Sequence, residues 1–491
     1  MMPHDSSGTD PADLTLIGAI DALRSGQLKA VELLDAALKR ITACNGGNPS
    51  FEGEPQAINA WARIYADRAQ MQAEQADRHL QNEPENTPLL CGIPWGVKDL
   101  FAVQDLPLTA SSRVIADHIA DESAVVVEQL ESQGMVLVGH THTHEFAAGG
   151  STDQVGNPWA LDRSAGGSSG GSAAALAVGM IPAALGTDTA GSVRIPASLC
   201  GVSAIKPAFN RVPTAGVIPL SPTLDHVGSM ARTIADAAVL LNHMSRSRRP
   251  ALPWMGWGDP QIDLPIAASR ERRPLEGTRI AVTERNRSEL IHQDVAVSDQ
   301  AAREACQRLG AEIIELPIPV DMNRADYDTV LIAEARSYHR QYAALEDQYR
   351  GSTRDFLAFG ADEIPVSQYL AAQHQRLAVT EQWRQWFDYH GVDAILEPTQ
   401  AIPSPRRGHG YDPDQAVGGE DPMTYFTALW NYTGFPAITL PTTRGTETGL
   451  PMSISLISAP GQEREAVRIG LALQHYEFSV PTPPIASWEA D

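Results

Sequence analysis

The sequence is poor in cysteine and in positive charge. It has four cysteines in 491 residues and no Cys-x-x-Cys pair; the four are Cys44, Cys91, Cys200 and Cys306. Thiols so far apart do not make the dense disulfide framework of a small secreted domain, and we interpret them as reduced. Lysine and arginine number 37 against 60 aspartates and glutamates, so the formal charge is −23. Because this charge repels phosphate backbones and anionic lipid, the composition disfavours nucleic acid and membranes as partners.

Long apolar runs are also missing. No uninterrupted run approaches the roughly 20 residues of a membrane-spanning helix. The chain starts Met-Met-Pro-His-Asp-Ser-Ser-Gly, which has neither the basic start nor the apolar centre of a secretory signal. We therefore expect a cytoplasmic protein.

What is present is typical of a globular enzyme. Apolar residues make up 43% of the chain, and 39 glycines and 35 prolines are spread along it, which indicates many tight connections. We expect a flexible tail at residues 1–12 and a single domain over residues 13–485, since α/β enzymes of this length can form one large unit.

Hydrophobic periodicity predicts the order of elements. Residues 13–40 carry apolar residues at helical spacing and predict two amphipathic helices, and residues 57–80 predict a third. From residue 89 to 241, short β-branched runs alternate with Gly-rich turns and Ala-rich segments, which is typical of an α/β core. Residues 245–277 are irregular and are interpreted as a surface excursion. The region of about 321–390 is mostly helical and rich in aromatics, and we interpret it as a helical substrate-side region. Most of its aromatics are expected to make core or helix contacts, and a minority to face a substrate groove, as in a lid. Further strands are predicted at 135–138, 279–282, 312–316, 392–396 and 453–457, and further helices at 123–132, 171–180 and 298–309.

Two serines lie in glycine-rich loops of this α/β region. Ser168 belongs to Gly-Gly-Ser-Ser-Gly-Gly-Ser at 166–172, and Ser192 ends Gly-Thr-Asp-Thr-Ala-Gly-Ser at 186–192. The first loop lacks a following Lys-Ser or Lys-Thr, which disfavours phosphate binding. The helix pattern after Gly171 argues against a flexible linker. The hydroxyl groups are therefore the feature that needs an explanation.

A serine hydroxyl needs a base, because it is a poor nucleophile at neutral pH. The small residues before Ser192 allow several backbone N–H groups to converge on one point, as in an oxyanion-binding nest. Upstream, Lys98 follows the run Gly-Ile-Pro-Trp-Gly-Val, where loss of water can keep its amine neutral and make it a base. Together these residues predict a nucleophilic hydrolase.

Several ordered motifs between residues 92 and 241 resemble the amidase signature family, whose hydrolases use a Ser–cis-Ser–Lys triad. The matching segments are 92–99, 141 with 145–147, 157–159, 166–172, 186–196, 200–201, 206–207 and 224–228. The resemblance implies an α/β fold with a central mixed, twisted β-sheet surrounded by helices, and a signature core at 89–241.

The family resemblance also implies roles for individual residues. Ser192 corresponds to the nucleophile, Ser168 to the bridging serine on a cis peptide bond, and Lys98 to the ultimate base. The implied oxyanion hole consists of the backbone N–H groups of Thr189, Ala190, Gly191 and Ser192, and the implied substrate-binding residues are Ala147 and Gly149. Such a reaction needs no metal or organic cofactor. Ala190 departs from the glycine of many members, and its methyl group is expected to bear on substrate choice more than on mechanism.

Without the family resemblance, the residues suggest two other functional sites. His140, His142 and His144, followed by Glu145, alternate as strand residues do and raise a metal-site hypothesis, but no second ligand cluster supports it. His226 follows an aspartate and raises a Ser-His-Asp hypothesis, although Lys98 already supplies a base. We expect Asp188 and Arg194, which flank the nucleophile loop, to hold it by hydrogen bonds.

The function expected from this reading is hydrolysis of a non-peptide C–N bond in a small molecule, with an amide, an anilide or a carbamate as substrate. Urethanase and aryl acylamidase activities are both compatible with it. The alternatives are a glutamine-amidase subunit of a tRNA-dependent amidotransferase, an allophanate-type hydrolase and a non-catalytic scaffold, and the joint presence of Lys98, Ser168 and Ser192 argues against the last. Homodimers are common for such folds.

Overall fold

The computed structural model describes residues 10–245, 263–359, 363–408 and 421–484. The helices in these residues are α1 Leu16–Arg24, α2 Ala30–Cys44, α3 Ala66–Asn82, α4 Val125–Ser132, α5 Gly170–Ala177, α6 Arg194–Cys200, α7 Ile234–Met244, α8 Gln293–Arg308, α9 Arg324–His339, α10 Gly351–Ala358, α11 Val366–His390, α12 Ala428–Tyr432 and α13 Glu463–Tyr476. Short 3-10 segments lie at Pro11–Asp13, Glu145–Ala147, Glu284–Arg287 and Arg340–Gln348.

The strands form one large sheet and one small one. They are β1 Trp61–Ile64, β2 Pro94–Lys98, β3 Val136–Thr141, β4 Gly156–Asn157, β5 Ala160–Ser164, β6 Ala183–Asp188, β7 Ser203–Lys206, β8 His226–Ala231, β9 Arg279–Val282, β10 Glu312–Glu315, β11 Ala394–Pro398, β12 Ala437–Arg444 and β13 Pro451–Ile457. Eleven of them follow the order β1-β3-β2-β6-β8-β7-β12-β13-β11-β9-β10, and β4 pairs with β5.

The large sheet is mixed. Strand β2 is parallel to both of its neighbours, β3 and β6, while the central strands from β6 to β11 pair in antiparallel fashion. All five residues of β2 are buried, as expected for a strand covered on both faces. Because β2, β3 and β6 are parallel, their carboxyl ends meet at one edge of the sheet, where α/β proteins usually bind ligands. The expected mixed sheet surrounded by helices is confirmed.

The two N-terminal helices have the expected amphipathic character. In α1 the side chain of Thr15 caps the first turn by accepting from Gly18 N at 3.1 Å, and one stripe of the helix is buried. Helix α2 buries a similar stripe that includes Leu33 and Leu34. Both helices are therefore buried by the faces that their sequences predict, α1 against α7 and α2 against α3 and β2.

The prediction of a helix over residues 57–80 is wrong at its start. Residues Trp61–Ile64 form the edge strand β1, which pairs antiparallel with β3, and helix α3 begins only at Ala66. The segment is too short to show strand alternation clearly, and the helix-forming residues after it dominate the pattern. The strand is explained by tertiary contacts, since Trp61 is fully buried.

The last residues of the expected tail at 1–12 belong to the folded part of the protein. Pro11–Asp13 form a 3-10 turn with a buried Ala12, and Asp10 and Asp13 both pair with Arg40 of α2. Residues 1–9 lie outside the described residues. Residues 246–262 of the irregular segment 245–277 also lie outside them, and its described residues, 245 and 263–277, have neither helix nor strand.

The aromatic region of about 321–390 contributes mainly to the core. Trp383 of α11 packs edge-on against Trp430 with ring centroids 5.0 Å apart, and Phe387 packs on Phe435 at 5.7 Å. These rings are buried. The helical prediction for this region is confirmed, while the idea that its tryptophans face a substrate loses support. Among the described residues, no helix has both the length and the apolar character needed to cross a membrane.

Candidate active site

Lys98 ends the buried strand β2 and lies in the centre of the candidate site. Its Nζ donates to Ser168 Oγ at 2.8 Å and to Thr187 Oγ1 at 2.7 Å. Burial away from water lowers the pKa of this ammonium to about 7, although the negative charges of Asp188 and Asp225 act in the opposite direction. The neutral form of this amine is therefore accessible near neutral pH.

Ser168 lies in the loop between β5 and α5, and the Gly167–Ser168 peptide bond is cis. Its carbonyl oxygen accepts from His144 N at 3.1 Å and from Thr152 Oγ1 at 3.2 Å. Gly167 packs directly on the backbone of Ser151, since a Cβ at this glycine would lie 2.4 Å from the carbonyl carbon of Ser151. This close approach explains why glycine precedes the serine.

Ser192 lies in the loop between β6 and α6, and this loop is held by buried ionic contacts. Arg194 Nη2 and Asp188 Oδ1 are 2.9 Å apart, and Asp188 also accepts from the backbone N–H groups of Val193 and Arg194. Asn431 of α12 bridges the pair, accepting from Arg194 and donating to Asp188. The arginine and these hydrogen bonds hold the pKa of Asp188 well below its usual value. The expectation that Asp188 and Arg194 hold the loop is confirmed.

A second set of contacts fixes Thr189 in the same loop. Its Oγ1 donates to Asp225 Oδ1 at 2.6 Å, and its carbonyl oxygen accepts from Tyr327 Oη of α9 at 3.0 Å. Asp225 also accepts from the backbone N–H groups of Leu220 and Ser221. Burial nevertheless raises the pKa of this carboxyl to about 7.

The backbone of the loop presents free N–H groups. In the described part of the chain, no acceptor pairs with the backbone N–H of Thr189, Ala190, Gly191 or Ser192. Gly191 has φ +132°, and a Cβ there would lie 2.4 Å from Thr427 Oγ1, so only glycine fits. Thr427 in turn donates to Ala190 O. The loop is thus braced through its carbonyl groups while its N–H groups stay available.

The two serine loops are in contact. Ser169 N donates to Ser192 O at 3.1 Å, which places the residue after Ser168 beside Ser192. Ser192 is 6% exposed, and its Oγ has no hydrogen-bond partner among the described residues. The structure therefore joins Lys98 to Ser168 directly and brings the loop of Ser192 against them.

The segment predicted to contact substrate borders the same loops. Ala147 closes the 3-10 turn Glu145–Ala147, and both Phe146 and Ala147 have positive φ, at +50° and +61°. Gly149 donates from its N–H to Ala147 O, and a Cβ at Gly149 would lie 2.6 Å from His144 Nε2. Since His144 N binds Ser168 O, Ala147 and Gly149 belong to a loop anchored on Ser168.

The three alternating histidines each have separate partners. His140 binds Tyr65 Oη and Phe101 O; His142 binds Ser111 Oγ and Ser50 O; His144 binds Glu145 O and Ser352 Oγ. Burial lowers the pKa of all three imidazoles, so they are neutral at neutral pH. No group of three or more His, Cys, Asp or Glu side chains suited to a metal ion occurs among the described residues.

Among the described residues, His226 makes no hydrogen bond to Ser168 or Ser192. Its Nδ1 pairs with Leu224 O at 2.7 Å, and its ring packs edge-on against Phe209. Its place on β8, behind the loop of Ser192, agrees with the structural role favoured from the sequence.

Sequence reasoning missed four residues that support the site: Thr187, Asp225, Tyr327 and Thr427. Thr187 and Asp225 lie within the family motifs, but nothing in their spacing shows that they bind Lys98 and Thr189. Tyr327 and Thr427 act on loop residues 138 and 237 positions away. Pairings over such distances leave no local pattern.

Comparison with known proteins defines the class of this chain. The family model described as Amidase matches residues 51–467. A crystal structure described as an amidase superimposes with a TM-score of 0.79 at 27% identity, covering 94% of this chain and 99% of that one. Fold and matches together define an enzyme that acts on carbon–nitrogen bonds. The chain belongs to the amidase signature family.

Two further relatives bear on its activity. A glutamyl-tRNA(Gln) amidotransferase subunit from Anaeromyxobacter dehalogenans (strain 2CP-C) is 31% identical, with 97% of this chain and 99% of that protein covered. A solved structure described as part of a vestigial protein complex that reveals the origins of an s-triazine catabolic enzyme matches with a TM-score of 0.81 at 28% identity, covering 95% of this chain and all of that one.

Proposed function

We propose that this chain hydrolyses an amide-type C–N bond through an acyl-enzyme on Ser192. The observation that carries the proposal is the 2.8 Å contact between Lys98 Nζ and Ser168 Oγ in a water-excluded site. With a pKa of about 7, Lys98 can accept a proton at neutral pH, which an ordinary lysine cannot do.

The proposed reaction is a proton relay. Neutral Lys98 takes the proton of Ser168, which takes that of Ser192 as Oγ attacks the carbonyl carbon. The unpaired N–H groups of residues 189–192 stabilise the tetrahedral oxyanion. The proton then passes to the leaving nitrogen, and water releases the acyl group from Ser192. Ala147 and Gly149, in the loop anchored on Ser168, line the substrate side in this proposal.

The first candidate substrates are neutral amides, anilides and carbamates. A carbamate carbonyl passes through the same kind of tetrahedral intermediate as an amide, so the triad serves an aryl acylamidase and a urethanase equally. Because Trp383, Trp386 and Phe387 are core residues, these three rings give no support for an aryl leaving group.

The second candidate is the glutamine-amidase subunit of an amidotransferase. It is favoured by the name of the curated relative from Anaeromyxobacter dehalogenans, which matches over nearly its whole length. In this proposal the triad releases ammonia from glutamine, and the chain works with further subunits. The two candidates share the chemistry and differ in the acyl donor.

One substrate panel separates the candidates. The purified chain is incubated with a nitroanilide, with the matched nitrophenyl carbamate and with L-glutamine, beside Ser192→Ala and the exposed control Ser132→Ala. Release of nitroaniline or nitrophenol that is lost only in Ser192→Ala supports the independent hydrolase. Ammonia release from glutamine alone supports the amidotransferase role. Full turnover in Ser192→Ala would overturn the mechanism for both.

A further inference from the structure

A cavity of about 290 Å³ lies beyond the Phe146 end of the candidate site. It is enclosed by the end of α9, the 3-10 segment Arg340–Gln348 and the helix α10. The lining residues used below are His339, Arg340, Tyr342, Glu346, Tyr349 and Arg354. This volume is near the lower bound of about 300 Å³ for small-molecule sites.

Aromatic rings form one wall of the cavity. The ring of Phe146 packs against His339, Tyr342 and Tyr349, with centroids 4.7, 5.9 and 5.7 Å away. His339 and Tyr349 are themselves 5.3 Å apart. Rings at these distances offer faces and edges on which a planar apolar group packs well.

His339 supplies an unused polar atom in this apolar wall. The residue is 6% exposed; its Nδ1 pairs with Tyr349 Oη at 2.7 Å, and its Nε2 has no hydrogen-bond partner among the described residues. Burial lowers the pKa of the imidazole to about 4, so the ring is neutral and carries one N–H. When Tyr349 donates to Nδ1, that N–H is on Nε2. Because this Nε2 is itself buried, it belongs to the packing of the wall and is not offered to a bound molecule.

The rim of the cavity is positively charged in a protein of net charge −23. Arg340 and Arg354 are exposed and have no ion-pair partner among the described residues, while Arg336 donates to Leu357 O and Phe359 O. Glu346 is the acidic residue of the lining. The two exposed guanidinium groups of Arg340 and Arg354 against the one carboxylate of the lining favour an anion, and guanidinium groups bind carboxylates well.

We propose that this cavity binds a small aromatic carboxylate, with the ring against Tyr342 and Tyr349 and the carboxylate against Arg340 and Arg354. The site is separate from Lys98, Ser168 and Ser192 and requires none of them. It extends beyond the proposed hydrolysis, because it is built from residues that the relay does not use.

Isothermal titration calorimetry on the full chain tests the proposal with three probes. Benzoate has both the ring and the charge, benzyl alcohol has the ring alone, and acetate has the charge alone. We expect benzoate to bind at least about tenfold more tightly than either of the others, since each lacks one half of the recognition. Equal binding of all three, or no binding of benzoate, would overturn the proposal.

Variants locate the binding site. The double variant Arg340→Gln/Arg354→Gln should weaken benzoate binding at least about tenfold. The control Arg384→Gln, on the surface of α11, should bind as the parent does. Unchanged affinity in the double variant would place benzoate elsewhere and defeat the proposal. Unchanged affinity in Ser192→Ala is expected, whereas its loss would assign benzoate to the reaction site.

Discussion

Two titrating groups lie close together at the candidate site, and they have opposite effects. Lys98 must be neutral to accept a proton, and its pKa is about 7 because it is buried. Asp225 has a pKa raised to about 7, also by burial, and its negative charge raises the pKa of Lys98. The pH dependence of the enzyme therefore depends on both groups.

We predict that kcat/KM rises with pH through about 7, because the protonated form of Lys98 is inactive. Below that pKa the rate should fall about tenfold per pH unit. In Asp225→Asn the acid limb should move to lower pH, since the charge that raises the pKa of Lys98 is gone. A pH profile of both proteins on one substrate checks this. Disappearance of the limb in Asp225→Asn would assign it to the aspartate instead.

Lys98→Ala should lose nearly all turnover, because Ser168 is left without a proton acceptor. His142→Gln should keep most of it, since His142 contacts Ser111 and Ser50 and not the serine pair. Steady-state kinetics on both variants, with circular dichroism to show that they are folded, tests the difference. Comparable losses in the two variants would contradict the assigned roles.

Motifs in the sequence predicted the reactive residues. The side chains that hold these residues in place were not predicted. Lys98, Ser168 and Ser192 each lie in a short segment whose glycines and small residues indicate an unusual backbone conformation. Thr187, Asp225 and Thr427 are ordinary side chains whose partners come from other strands and helices. Their roles follow from the pairing of β2 with β6 and from the docking of α12, which local pattern does not determine.

At the scale of elements, the loop of Ser192 is a rigid unit clamped between β6, α6 and α12. The prediction of strands and helices succeeded where the pattern was strong, as for β9, found at Arg279–Val282. It failed for β1, where only four residues form the strand and cross-strand pairing with β3 decides the conformation. Helix α8 starts at Gln293, five residues before the predicted boundary, because the side chain of His292 caps it.

Gly191→Ala should lower kcat by about a hundredfold, the scale seen when one oxyanion donor is lost. At φ +132° the added methyl group collides with Thr427 and must displace the loop. Gly461→Ala is the matched control, since Gly461 also has positive φ but has open space around it. Kinetics at saturating substrate measure the effect. Equal losses in both variants would point to general backbone strain.

Arg194→Lys should lower the free energy of unfolding by about 3 kcal/mol, because a lysine cannot replace the paired contacts to Asp188 and leaves that buried carboxylate under-satisfied. The control Arg384→Lys, in a solvent-facing pair on α11, should hardly change it. Urea unfolding of both variants provides the measurement. A small effect at Arg194 would mean that the buried contacts between Arg194 and Asp188 contribute little to stability.

At the scale of the whole molecule, a net charge of −23 repels negatively charged surfaces that approach the protein. We predict that the isolated chain does not bind tRNA at physiological salt, because favourable phosphate contacts require clustered basic groups. A gel-shift titration at two salt concentrations tests this. Salt-sensitive binding by the chain alone would contradict it and would strengthen the amidotransferase proposal.

The hydrogen bonds from α12 that hold the Ser192 loop have a consequence for the synthesis of the protein. Arg194 and its brace Asn431 are 237 positions apart, so the ribosome completes Lys98, Ser168 and Ser192 long before the brace exists. At synthesis rates of about 5–20 residues per second, the delay is on the order of 10 to 50 seconds. A nascent chain therefore carries the reactive side chains on an unsecured loop throughout this interval. We therefore expect a chain that terminates before α12 to be inactive, and the full chain to become active only near the end of translation.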